Sequence, residues 1–443
     1  MDARQHFEGK NITVMGLGLL GRGLGDVRYL AENGAHLIVT DLKSREQLAS
    51  SLEALQEFPD IQYVLGEHRL EDFRDRDMIL KAAGVPMDSI YIEEARSNGI
   101  PIQMSASLFA EIAQIPIVGV TGTRGKSTTT HMLHAILKAA GKDVLLGGNV
   151  RGISTLALLP EVTEDSIALF ELDSWQLQGF GEAKMSPHIA VFTTFFPDHL
   201  NYYKENLDTY LADKANIFLF QKPGDTLVLG SQCAGLIQEK YDAGHIQGWT
   251  SLVGASDLPE DWKLAIPGEH NRYDAALARR AAEALDISDD VIRAALESFT
   301  GVPGRLELVA TVDGVDYYND TTATTPEATL AALRALGERY PGRVLLIMGG
   351  AEKGLRMTEL ISVVPSLTKR VAFLSGTGTA RIKEQFPDAE VFDNLIAAVG
   401  NARMHAESGD AILLSPAFAS FGMFRNEFDR GDQFDAIVRE MQT

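Results

Sequence analysis

Ile117-Val118-Gly119-Val120-Thr121-Gly122-Thr123-Arg124-Gly125-Lys126-Ser127-Thr128-Thr129 is the stretch whose reading decides the fold. The apolar run from Ile115 to Val120 predicts a buried strand, and Met132, Leu133, Ile136 and Leu137 recur at the spacing of one helix face. Between them the glycines permit a tight turn. A strand, a loop and a helix in that order make a phosphate cradle. Backbone N–H groups at the helix N-terminus point at the anion, Lys126 reaches the terminal phosphates, and the Ser127 or Thr128 hydroxyl ligates Mg2+. The residues expected to hold ATP here are Gly122, Thr123, Gly125, Lys126, Ser127 and Thr128. The spacing departs from the strict P-loop, because Val120 stands where G-x-x-x-x-G-K-[ST] needs its first glycine. A glycine-lysine turn that only caps a helix is the weaker reading, given the strand before it and the helix after it.

At 443 residues the chain exceeds one ordinary core, and ~150 residues per domain suggests about three. A composition of 45% hydrophobic and 23% charged residues is that of a globular protein. No apolar run approaches the ~20 residues that span a bilayer, and Met1 to His6 lack the apolar core of a signal peptide, so cytoplasm is expected. Cys233 is the one cysteine, which leaves no intrachain disulfide and no cysteine-based zinc site. A formal charge of -21 argues against sequence-independent binding to nucleic acid, whose affinity comes from Lys and Arg.

Upstream, Asn11 to Gly16 read as a strand running into Gly16-Leu17-Gly18-Leu19-Leu20-Gly21, a G-x-G-x-x-G turn, before a helix packing Val27, Leu30 and Ala31. A second strand, His36 to Thr40, ends at Asp41, where a dinucleotide-binding domain keeps its ribose-binding acid. Alone this favours NAD. Beside the stronger loop at Lys126 it is read as a holder of some other nucleotide, or as glycines that only let strand and helix pack closely.

Downstream, Val144 to Leu146 and Ile167 to Leu172 read as strands, the second delivering Glu171 and Asp173 at the sheet edge where ligands bind. Ile189 to Thr194 repeats the device and leads to Pro197-Asp198-His199-Leu200. On residue type alone His199 is a capping or core histidine rather than a ligand, and Lys214, in a helical stretch, is a solvated lysine. A long helix rich in alanine and arginine follows Ile266 to Asn271, and Thr300 to Glu307 reads as a linker. Beyond it strands at Val315 to Asn319, Val344 to Met348, Val371 to Leu374 and Ala411 to Leu414 alternate with helical patterns such as Pro326 to Leu336. They predict a third unit with a parallel sheet. The expected fold is α/β in three domains: residues 1–104 Rossmann-like, 105–302 a P-loop-type ATPase, and 303–443 Rossmann-like.

The T-G-T-x-G-K-[ST]-T loop resembles that of the Mur ligases and folylpolyglutamate synthetases. Across essentially the whole chain the ordered motifs resemble the MurD-type Mur ligases, which join D-glutamate to UDP-N-acetylmuramoyl-L-alanine in peptidoglycan synthesis. They are the glycine turn at Gly16, Thr121 to Thr129, Glu171 to Leu177, Asp198-His199, His270-Asn271, Arg305 to Glu307, Asn319-Asp320, Gly349-Gly350 with Lys353, and Leu414 to Ala417 through Ser420 to Arg430-Gly431. The resemblance implies that the first domain binds UDP, the second ATP, and that the third closes over both. It implies that Lys126, Glu171, His199 and Lys214 are catalytic, with Ser127 on one Mg2+, and Glu171 and His199 on a second. Lys214 matches the lysine that the family carbamylates with CO2, which would add an anionic metal ligand. Asn271, Arg305 and Asp320 would contact ATP. Leu19, Asp41, Lys43, Gly84, Asn149 and Gln176 would line the UDP-sugar site, and Thr324, Lys353, Ser420 and Phe421 the glutamate site. Partners are then the UDP-linked acceptor, glutamate and ATP, with no nucleic acid, no membrane insertion and no required oligomer.

Three positions depart from the family pattern: Thr322 replaces a lysine, Asp173 a serine, and Glu427 a phenylalanine. They raise L-glutamate as an alternative amino acid. Further alternatives are another Mur or folylpolyglutamate-type ligase, and an inactive nucleotide-sensing homologue.

Overall fold

The computed structural model describes residues 4–18, 21–150, 153–199, 202–241, 244–266 and 268–442. Apolar runs bounded by glycine turns become strands with helices between them, and three sheets result. The first joins β1 (Asn11–Met15), β2 (His36–Asp41), β3 (Gln62–Leu65), β4 (Met78–Lys81) and β5 (Ile102–Gln103) in the order β3-β2-β1-β4-β5, every pair parallel. The second joins β6 (Ile117–Thr121), β7 (Asp143–Gly148), β8 (Ser166–Glu171), β9 (Ile189–Phe192), β10 (Thr226–Gly230) and β11 (Trp249–Val253) in the order β11-β10-β9-β6-β8-β7, again all parallel.

The third sheet holds β12 (Glu307–Val312), β13 (Val315–Asn319), β14 (Val344–Gly349), β15 (Arg370–Leu374), β16 (Glu390–Phe392) and β17 (Ala411–Leu414), ordered β12-β13-β17-β14-β15-β16. It is not wholly parallel, as the sequence reading expected. β12 runs antiparallel to β13, because Asp313-Gly314 closes a hairpin with both residues at positive φ. The rest of the sheet is parallel.

By contact density the chain forms two compact units, Met1–Asp261 with Tyr273–Leu296, and Trp262–Arg272 with Glu297–Thr443. The first two sheets share a continuous apolar core running from Phe7 through Phe109 and Phe170 to Ile237. The third sheet has its own cores on its two faces, around Leu333 and Met348 on one and Tyr317 and Phe434 on the other. Among the described residues no helix is long and apolar enough to cross a membrane.

In each sheet the strand order reverses at one place, and open α/β sheets bind ligands beyond the strand C-termini at such a point. In the first it lies between β1 and β4, which deliver Gly16 and Ala82. In the second β6 runs between β8 and β9, which places Thr121, Glu171 and Phe192 side by side. In the third β13, β17 and β14 deliver Asp320, Ser415 and Gly350.

Candidate active site

After β6 the chain turns through Gly122 to Gly125 and enters the Lys126–Ala139 helix, whose Met132, Leu133, Ile136 and Leu137 are buried. Gly125 caps that helix at φ 84°, a left-handed conformation in which glycine has no steric cost. The first intrahelical bond runs from Thr129 N to Gly125 O, so the N–H groups of Lys126, Ser127 and Thr128 precede it and face outward from the helix end. The neighbouring strand end holds the loop: Thr123 N donates to Thr194 O at 2.7 Å, Arg124 N to Thr194 Oγ1 at 2.9 Å, and Thr193 Oγ1 to Arg124 O at 2.5 Å. Lys126 Nζ folds back over Gly122 O and Thr123 O at 3.1 and 3.3 Å.

Lys214, expected to be solvated, is instead 1% exposed. Its Nζ donates to Gly122 O at 2.8 Å and Thr121 Oγ1 at 3.4 Å, and lies 5.0 Å from the centroid of Tyr210. The physical reason was written in the sequence. Tyr210, Leu211 and Ala215 form a buried apolar stripe on the Leu207–Ala215 helix, and Lys214 sits within it. Burial, reinforced by the Lys126 ammonium, pushes the Lys214 amine well below the ordinary lysine range; the carboxylates of Asp173, Asp198 and Glu171 pull the other way.

Glu171 is 4% exposed at the end of β8. Asn149 Nδ2 donates to its Oε1 at 3.2 Å, and Asn149 N to its main-chain oxygen at 2.7 Å. Gly148 makes that wrap possible: it sits at φ 82°, and a Cβ there would stand 2.1 Å from Glu171 O. His199 holds a positive φ of 52°, uncommon for a residue with a side chain. His199 is exposed, yet its ring packs 4.6 Å from Trp175, and desolvation lowers its pKa, with Lys126 and Lys214 adding to the effect and the carboxylates of Asp198 and Asp173 opposing it.

Among the described residues no group of three or more His, Cys, Asp or Glu side chains is arranged to hold a metal. Mg2+ does not need one, because it keeps several waters and shares its sphere with nucleotide phosphates. One buried carboxylate with an oxygen steered by Asn149 and a hydroxyl at a helix start fit that habit.

On the first sheet, Asp41 closes the glycine turn: its Oδ2 accepts from Gly18 N and its Oδ1 from Lys43 N, both at 2.9 Å. Lys43 Nζ lies 3.6 Å from the same carboxylate. Leu19 lies outside the described residues. Gly84 sits exposed in a loop held by Lys81, which no sequence signal flagged beyond its place at the end of an apolar strand. Lys81 is buried and donates to the carbonyls of Ala82, Ala83 and Val85, and burial brings its pKa down to about 8. Gln176 is spent in part on a capping box: its Oε1 accepts from Asp173 N, while Asp173 Oδ1 accepts from Gln176 N. Asp173 thus does the capping work that serine also does.

In the second unit, Asn271 is buried, Arg305 is exposed, and Asp320 braces Leu306 N at 3.0 Å and Ser415 Oγ at 2.7 Å. Lys353 Nζ reaches Thr324 Oγ1 at 2.9 Å, and the Ala351–Ala419 bridge carries the Lys353 loop alongside buried Ser420 and exposed Phe421. The four residues expected at a glutamate site are therefore brought onto neighbouring loops. Thr322 donates from Oγ1 and N to Gly304 O at 2.9 and 3.1 Å, and Glu427 opens the Glu427–Glu440 helix, where its acid favours the helix N-terminus.

Comparison with known proteins matches residues 10–104 to the Mur ligase MurD-like N-terminal domain, 120–250 to the Mur ligase middle domain, and 304–418 to the Mur ligase glutamate ligase domain. A UDP-N-acetylmuramoylalanine–D-glutamate ligase of Roseiflexus sp. (strain RS-1) is 39% identical, over 97% of this chain and 98% of its own. The chain belongs to the Mur ligase family. A second Mur ligase of the same name, from Borreliella burgdorferi, is 34% identical over 97% of this chain and 98% of its own. The fold is shared with the crystal structure of the MurC Mur ligase of Thermotoga maritima, at a TM-score of 0.63 and 16% identity, covering 97% of this chain and 99% of that one.

Proposed function

We propose that this Mur ligase joins D-glutamate to UDP-N-acetylmuramoyl-L-alanine, converting ATP to ADP and phosphate. The observation that carries the reading is the convergence of the Thr121–Thr128 loop, Glu171 and Lys214 at one sheet edge, in a chain matched along its length to relatives bearing that name. The γ-phosphoryl group of ATP passes to the alanine carboxylate, the glutamate amine attacks the acyl phosphate, and the tetrahedral intermediate collapses to an amide and phosphate. Lys126 and the outward N–H groups of its helix neutralise charge on the transferring group, and such preorganised charge is the main source of catalysis in phosphoryl transfer. Ser127 would hold one Mg2+, and Glu171 and His199 a second; the ions supply charge neutralisation when bound. Thr324, Lys353, Ser420 and Phe421 would receive glutamate, a lysine and two hydroxyls suiting its two carboxylates. Asp41, Lys43, Gly84, Asn149 and Gln176 would line the UDP-sugar site, and Asn271, Arg305 and Asp320 would serve ATP.

Lys214 would carry a carbamate. Its uncharged amine attacks CO2 and releases one proton, giving N–COO⁻, and the new anion adds an attraction to the Lys126 ammonium that the neutral amine lacks. Support comes from the burial of Lys214 and its depressed pKa, since only the neutral amine is nucleophilic. A carbon-13 carbamate signal from labelled bicarbonate, missing in Lys214→Arg, is the expected result; no signal in the parent protein removes the carbamate.

L-Glutamate is disfavoured. Each departure from the family pattern has local structural work: Asp173 caps a helix, Thr322 ties Gly304, and Glu427 opens a helix. Phosphate release should need the UDP-linked acceptor and D-glutamate together. Equal turnover with L-glutamate, or turnover with folate, would point to a different ligase.

A further inference from the structure

Arg22 follows directly on the Gly16–Gly21 turn as the first residue of the Arg22–Glu32 helix. Its Nη1 donates to Asn149 Oδ1 at 2.5 Å, and Asn149 Nδ2 donates to Glu171 Oε1 at 3.2 Å. The polarity of the amide is fixed by its partners. A flipped Asn149 would set its NH2 against a guanidinium and its oxygen against a carboxylate. A chain of three side chains thus runs from the glycine turn of the first sheet to the buried carboxylate of the second.

The same helix is locked to the same loop one turn further on. Asp26 Oδ1 accepts from Ser105 Oγ and Ser154 Oγ, each at 2.7 Å. Gly25 lets the backbone approach so closely that a Cβ there would stand 2.5 Å from Ser154 Cβ. The Asp26 anchor fixes the helix to the loop that carries Asn149 whether or not Arg22 is engaged. Arg22 is consequently placed to adjust Asn149 without being needed to hold the two sheets together.

We infer that Arg22 is a positioning residue that couples binding of the UDP-sugar to the readiness of Glu171 for a divalent cation. The inference rests on the proposed function, in which Asn149 and Asp41, the carboxylate that accepts from Gly18 N, line the UDP-sugar site. A guanidinium has five donors in a planar fork, so Arg22 can keep one N–H on Asn149 while others meet a phosphate oxygen. Held from the phosphate side, it holds Asn149, and Asn149 holds the Glu171 oxygen. Coupling between binding sites is reciprocal, so the cation must strengthen UDP-sugar binding by the same factor.

The test uses the full chain with Mn2+ as the probe cation, followed by electron paramagnetic resonance, and a non-hydrolysable ATP analogue. Mn2+ affinity is measured with and without UDP-N-acetylmuramoyl-L-alanine, and binding of the UDP-sugar itself is followed by calorimetry. In the parent protein the UDP-sugar should tighten Mn2+ binding by about 5-fold or more. Arg22→Ala should leave Mn2+ affinity without UDP-sugar within about 2-fold of the parent, the scatter expected of independent sites, and should abolish the tightening. Arg22→Lys should behave like Arg22→Ala, because one ammonium cannot span both partners in the same geometry. Undiminished tightening in Arg22→Ala overturns the inference, as does an equal loss of Mn2+ affinity with and without UDP-sugar. A parent protein that binds no UDP-sugar overturns the substrate reading itself, and the coupling with it.

Discussion

A buried ionisable side chain either has partners that keep its charge or gives the charge up, and this chain contains both outcomes. Lys214 is the second kind, being fully enclosed with the neutral oxygens Gly122 O and Thr121 Oγ1 as its hydrogen-bond partners among the described residues. Lys214→Met keeps the volume and removes the buried amine, so thermal stability should hold while turnover falls by about 10²-fold or more, the scale for removing one charge-stabilising group. A Lys214→Met enzyme with parental turnover would remove Lys214 from the chemistry. Asp26 gives a signed pH effect. Burial raises its pKa from 3.8 to about 6, against the lowering effect of its two serine bonds and Arg22. A folded pKa above the unfolded one means the folded state holds the proton longer, so this contribution is fully present below pH 4 and is lost as pH rises through 6. The shift corresponds to roughly 3 kcal/mol. Both serines donate to the same oxygen, so Asp26→Asn retains the acceptor and abolishes the charge. Its denaturant midpoint should fall less steeply than the parent's between pH 4 and 6, and identical slopes would show that Asp26 does not titrate there.

At the scale of elements, the readable ones were those whose own sequence carries a period or a breaker. The Lys126–Ala139 helix shows its apolar face, and β6, β8 and β17 are apolar runs that end at glycine, acid or serine. β11, with largely exposed residues, and two-residue β5 carry no such signal, and pairing with neighbours makes them strands. The Glu427–Glu440 helix is bound to the loops of the third sheet by Arg430, whose side chain is 0% exposed. Arg430 donates to Thr321 O at 2.8 Å, Thr321 Oγ1 at 3.1 Å and Phe418 O at 3.4 Å, drawing the loops before Thr324 and Ser420 onto that helix. Arg430→Met should destabilise by about 2–4 kcal/mol, because buried acceptors lose their donor. Chemical denaturation would register that loss, and an unchanged midpoint would mean water replaces the guanidinium. In the second sheet, Gly148→Ala should cut turnover with little loss of nucleotide binding, since its Cβ would collide with Glu171 O at 2.1 Å; parental turnover would show that the loop yields.

For the whole molecule, three sheets need not mean three independent unfolding events. The first two share one apolar core, whereas the third buries its own faces in clusters confined to the second unit. Cooperativity follows shared burial, so calorimetry should resolve two transitions. Three would show that the first and second sheets unfold apart.

Motif order and spacing by themselves determined the family resemblance, the phosphate loop and most strand positions around it, because those depend on residues close in sequence. The burial of Lys214 was half legible, its apolar neighbours recurring at helical spacing around a residue type that ordinarily seeks water. The Asp313-Gly314 hairpin and the Asp173–Gln176 capping box rest on local patterns that the sequence carries; tertiary structure alone decided the burial of Lys81 and the Arg22–Asn149–Glu171 chain. The reason is physical: Arg22 and Asn149 lie 127 positions apart, and a hydrogen bond is chosen by which polar groups the packed core brings within 3 Å, something no local pattern encodes.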